Sequence, residues 1–123
     1  MTVIWLAAGG VLGTLARYVL ATRIGDLAGS TALGIFAVNI IGALAIGVFL
    51  GLAESREHWS REAHLFVATG FLGAFTTFSA LAWQTYQFLD LRDAPAALAN
   101  MAGTALVGLA AVYAGVALAR LVP

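Results

Sequence analysis

The chain has 123 residues, 62% of them hydrophobic and 10% charged, and its six arginines and six acids sum to a formal net charge of zero. Soluble domains carry about 25% charged residues, so this chain cannot build a water-solvated surface and lipid must be the solvent for most of it. The charge balance leaves no nucleic-acid footprint, and the absence of cysteine removes disulfides, thiolate metal sites and thiol nucleophiles.

The first apolar run starts at Val3. It has no basic segment ahead of it, and from Val3 to Ala21 it is long enough to span a bilayer uncut, so it reads as a membrane helix rather than a signal peptide. This first span covers about residues 3–22, with Arg17 near its end. Residues 23–31, containing Arg23, Gly25, Asp26 and Gly29, read as a loop. The second span, about 32–53, carries no charge. ESREHWSRE, at 54–62, is the most polar run in the chain and lies outside the bilayer. The third span covers about 63–89. Asp90, Arg92, Asp93 and Pro95 make a short turn, and the fourth span, about 96–118, is closed by Arg120 and Pro123. Each stretch meets the roughly 20 residues a helix needs to cross the hydrocarbon core, and a helix satisfies every backbone group internally. The runs are continuous rather than alternating, which argues against a strand barrel. The expected fold is one all-α domain, residues 1–123, of four transmembrane helices.

Small residues recur at helix-packing spacing. Gly9 and Gly13 lie four apart, as do Ala43, Gly47 and Gly51, and such stripes let backbones approach closely in lipid. Four short helices enclose little of a pathway, so a transport function calls for a second subunit. Loop arginines set membrane orientation. Arg56, Arg61 and Arg120 fall on one side; Arg23 and Arg92 fall on the other, joined by Arg17 if it snorkels outward. That near-balance suits a chain that inserts both ways round, though so small a sample also permits chance.

No acid, lysine or histidine is expected at bilayer depth, which argues against a proton-coupled carrier. His58 sits in the polar loop and His64 at the start of the third span, both interfacial. The intramembrane polar groups are neutral and clustered. Asn39 is the one strongly polar residue of the second span. The third contains GFLGAFTTFS, Gly70 to Ser79, and the fourth has Asn100 and Thr104 one turn apart. A lone hydroxyl in a membrane helix usually bonds back to its own backbone, which suffices for Thr14 and Thr85. The run from Thr76 to Ser79 differs, because two glycines followed by consecutive β-branched residues are poor material for an unbroken helix. A break there frees carbonyls that suit a cation such as sodium. Irregular backbone at that depth belongs in a protein interior or beside an aqueous path. The Asn, Thr and Ser donors, with the positive edge of a phenyl ring, equally suit a small anion held weakly enough to leave.

These segments resemble the Fluc (CrcB) fluoride channels. GGVLGTLARY in the first span is similar to that family's N-terminal signature, GIFAVNIIGALAIG to its Asn-containing segment, and GFLGAFTTFSAL to its third-span break. The resemblance implies an antiparallel, dual-topology dimer in the bacterial inner membrane with two fluoride pathways along the subunit interface. It implies a central structural Na⁺ on the carbonyls of Gly73 and Thr76. It places Asn39, Thr77, Phe78, Ser79 and Thr104 on the fluoride pathway and Arg17 near a vestibule. Three positions depart from the family pattern: Leu81 stands where a second pore phenylalanine is expected, Ile35 where Thr is frequent, and Gln84 where an acid is frequent. Because some members pair unlike subunits, the partner is either a second copy or a close paralogue. Three other classes compete. A small dual-topology drug exporter predicts an intramembrane carboxylate, and a non-conducting helper subunit predicts loss of the pore groups. An enzyme predicts an acid–base or nucleophile–base pair at depth.

Overall fold

The computed structural model describes residues 1–55 and 59–122, which are helical almost throughout, with no strand among the described residues. Four stretches of 24 to 30 residues are long and apolar enough to cross a membrane, so the chain is an all-helical, multi-pass membrane protein. Arg56 and His58, placed in the polar loop by the sequence, lie outside the described residues.

Helix α1 runs Thr2–Ala28, well past the expected end near residue 22. The stretch read as a loop is therefore mostly helix. Its Arg and Asp mark the exit from hydrocarbon, whereas the helix itself stops only where backbone chemistry stops it. That point is Gly29, at φ 66°, ψ 23°, a left-handed conformation that costs glycine least. There Ser30 N–H donates to the Gly25 carbonyl at 2.9 Å. Helix α2 follows immediately, Thr31–Ser55.

The third span is built from two helices. In α3, residues 61–75, Ser60 Oγ accepts the Ala63 N–H at 3.1 Å with Glu62 in the first turn, the charge arrangement a helix N-terminus favours. Its middle, Leu65–Leu72, is π-helical, and Gly73–Phe75 returns to α geometry. Thr76 (φ −88°, ψ 158°) and Thr77 (φ −149°, ψ 115°) are extended. Helix α4 then runs Phe78–Asp90. Helix α5, Ala94–Ala119, starts with Asp93 Oδ1 accepting the Ala96 N–H at 3.1 Å. At the edge of the polar loop, the rings of Trp59 and His64 both meet Phe49 edge-on, at 4.5 and 5.3 Å between centroids.

Helix α2 packs along α5, while α1 packs on α2 and α3, and α4 packs on α5. The third span thus exchanges α1 for α5 as its neighbour at residues 76–77, and α2 touches both halves. The α1–α3 crossing is backbone on backbone: a Cβ at Gly9 or Gly13 would run into the carbonyls of Phe66 and Phe71. Close approach of this kind replaces the hydrophobic effect, which does not drive helices together in lipid.

Candidate ion site at the third span

Two extended residues at membrane depth create a hydrogen-bond problem. No water is present to satisfy freed backbone groups, and each unsatisfied group is costly. The fold solves it locally. The Thr76 N–H still donates to the Leu72 carbonyl at 3.1 Å, and Thr76 Oγ1 donates to the same carbonyl at 3.1 Å. In an unbroken helix the Thr77 N–H would donate to the Gly73 carbonyl; here it donates to Asn39 Oδ1 at 2.7 Å. Asn39 Nδ2 donates in return to the Thr77 carbonyl at 3.1 Å. The Asn39 amide therefore grips Thr77 as a neighbouring strand would. Arg17 Nη1 donates to the Thr76 carbonyl at 3.4 Å. Thr77 Oγ1 caps α4 by accepting the Ala80 N–H at 3.2 Å and lies 3.2 Å from Ser79 Oγ.

Beside this segment lies a cleft of about 370 Å³ between the second, third and fourth spans. Asn39, Gly73, Thr76, Thr77, Phe78, Leu81 and Thr104 all border it. Phe78 is 73% exposed on the surface of the chain. Thr104 is 7% exposed, and its hydroxyl has no hydrogen-bond partner among the described residues. Ser79 reaches the cluster through Thr77, and Arg17 approaches from α1, outside the residues that border the cleft. The structure thus gathers around one locus seven of the eight residues singled out by sequence and brings Arg17 to the carbonyl of an adjoining residue, Thr76. Leu81, buried at 6% exposure, faces the same cleft, so the departure from Phe leaves the position and removes the ring.

Other expectations sort differently. Thr85 bonds back to the Leu81 carbonyl at 2.9 Å, as a lone hydroxyl should. Asn100 spends its amide on α4, donating to Thr85 Oγ1 at 3.0 Å. Gln84 is buried with an unpartnered Oε1. One contributor was missed by sequence reasoning: the N-terminus of α4, whose first-turn N–H groups begin at Phe78 on the rim of the cleft. Helix N-termini leave such donors without intrahelical acceptors and favour anions. The signal was present in Thr77, an N-cap residue type three positions before Ala80.

Comparison with known proteins places this chain in a family. The family model for CrcB-like protein, Camphor Resistance (CrcB), matches residues 4–116. A protein of Hydrogenovibrio crunogenus named fluoride-specific ion channel FluC is 38% identical over 88% of this chain and 83% of its own length. Proteins of the same name from Maridesulfovibrio salexigens and Roseiflexus sp. are each 36% identical, over 97% and 100% of this chain and 95% and 100% of their own lengths. A family match over nearly the whole length, together with relatives above 30% identity that span it, shows that this chain belongs to the CrcB-like protein family.

Proposed function

We propose that the chain is a subunit of a passive fluoride channel that lets fluoride leave the cytoplasm, with its ion path running through the cleft beside residues 76–79 at a subunit interface. The observation that carries this reading is the Asn39–Thr77 clamp. It presents the capped start of α4 to a cleft that holds no acid. A fluoride ion entering must exchange its water shell for protein donors. The second N–H of Asn39, the hydroxyls of Ser79 and Thr104, the first-turn amides of α4 and the edge of the Phe78 ring are such donors. None carries a full positive charge that would trap the ion. The relatives named as fluoride-specific channels support fluoride as the ion. The exposed Phe78 ring and open cleft support a path completed by a second subunit, either a copy of this chain or a paralogue. A drug exporter of similar size is not favoured, because every acid among the described residues lies in a loop or near a helix end.

The resemblance also implies a structural Na⁺ held by the carbonyls of Gly73 and Thr76. The residues fit it. Asn39 diverts the helical donor of the Gly73 carbonyl, and the Thr76 carbonyl, which accepts from Arg17, keeps a second lone pair. Neutral oxygens are the ligands a hard monovalent cation takes. Gly73 and Thr76 would hold the ion, which would supply fixed positive charge near the anion path and offset the field of the carbonyls.

The direct test uses the purified chain alone in liposomes loaded with fluoride or with chloride. Fluoride efflux read by an ion-selective electrode should be rapid and chloride should stay inside. Absence of fluoride efflux from a folded chain overturns the homomeric channel; efflux restored by a co-expressed paralogue identifies a heteromer. Dual topology is tested separately. Reporters fused at the C-terminus should be found on both sides of the membrane, and one orientation in every molecule, without an oppositely inserted partner, excludes it. Phe78→Ile, which keeps bulk and removes the ring edge, should slow efflux.

A further inference from the structure

The two extended residues leave two carbonyls near the proposed anion path, and a carbonyl dipole aimed at an anion repels it. Asn39 covers the carbonyl of Thr77 and cannot also cover that of Thr76. The Thr76 carbonyl is covered by the half-buried Arg17 of α1. Among the described residues no carboxylate pairs with Arg17, so its guanidinium spends its charge on this oxygen. Arg17 lies outside the residues that border the cleft while Thr76 borders it, so the bond ties the Thr76 carbonyl to α1.

We propose that Arg17 is a positioning residue of the channel: its N–H donor holds the Thr76 carbonyl, and with it the extended segment of the third span, in place. The inference rests on the fluoride-channel reading. It differs from a vestibule role, in which Arg17 would act through charge alone by concentrating fluoride at the entrance. The two roles separate cleanly, since one needs a hydrogen-bond donor and the other only a positive charge.

The chain has no cysteine, so Arg17→Cys gives a unique thiol. Thiosulfonate reagents can then attach either an ethylammonium, which carries N–H donors, or an ethyltrimethylammonium, which carries the same charge and none. Efflux from liposomes should fall by about tenfold or more in Arg17→Cys and return to within about threefold of the parent with the ammonium adduct only. The deficit of the unmodified variant should also persist in about 1 M of an impermeant salt, where screening shortens the reach of charge to about 3 Å. Equal rescue by both adducts, or a deficit that vanishes in salt, overturns the positioning role and leaves the channel reading intact. A parent chain that passes no fluoride, alone or with a co-expressed paralogue, overturns both. Should Arg17→Cys not assemble, the parent itself supplies the readout. With ¹⁵N-labelled arginine, one guanidinium should exchange its protons slowly in the folded protein, and its free exchange overturns the proposal.

Discussion

Asn39→Asp is expected to reduce fluoride efflux to near background while the protein stays folded. The replacement keeps volume and one half of the clamp, because a carboxylate oxygen still accepts the Thr77 N–H. When ionised it destroys the other half, setting a second oxygen against the Thr77 carbonyl where Nδ2 now donates at 3.1 Å. Leaving that carbonyl unpaired costs about 1–3 kcal/mol, equivalent to roughly five- to 150-fold in a rate or binding constant. The charge adds to this. A carboxylate bordering the cleft repels the anion, or burial keeps the acid protonated so that it donates to Thr77 and has no N–H left for fluoride. Both outcomes block the path. Efflux should therefore stay low at every pH at which the protein is folded. Conduction equal to the parent would remove Asn39 from the path and with it the chemical basis of the reading.

The second large effect is on assembly of the helices. Gly13→Val should destabilise the folded chain by about 3 kcal/mol or more, at or beyond the upper end of ordinary overpacking. The new side chain meets the Phe71 backbone carbonyl rather than a movable side chain. Gly13 stands one turn before Arg17 on α1, so separating α1 from α3 to admit the valine also pulls the guanidinium from Thr76. Loss of stability and loss of fluoride efflux should therefore appear together. Gly10 is the control: a Cβ there meets nothing within 4 Å, and Gly10→Ala should be neutral or stabilising by up to about 1 kcal/mol through helix propensity. Thermal unfolding in detergent, followed by circular dichroism, compares the three proteins. Equal melting of Gly13→Val and the parent would mean that the α1–α3 crossing is not as close as described.

Sequence by itself determined the solvent and the segment count, because both follow from composition. So little charge admits only lipid, and lipid admits only satisfied backbones, so continuous apolar runs of about 20 residues become helices. It also picked out the polar residues that the structure gathers around one cleft, since few polar groups exist inside the spans and each stands out against the apolar background. Helix ends were less legible. Arg23 and Asp26 announced the membrane boundary, whereas α1 continued to the left-handed Gly29, because leaving hydrocarbon and ending a helix are separate physical events. What only the tertiary structure decided is which polar group answers which. Asn39 and Thr77 are 38 residues apart and Arg17 and Thr76 are 59 apart, so no local periodicity relates them. Nor does local sequence choose between the two adjacent threonines, of which one bonds back to Leu72 and the other caps α4. That division is set by the third span changing neighbours from α1 to α5 at this point. The change leaves the Thr77 N–H nearer to Asn39 on α2 than to the carbonyl of Gly73, and in a membrane an unpaired amide goes to whichever acceptor is in reach.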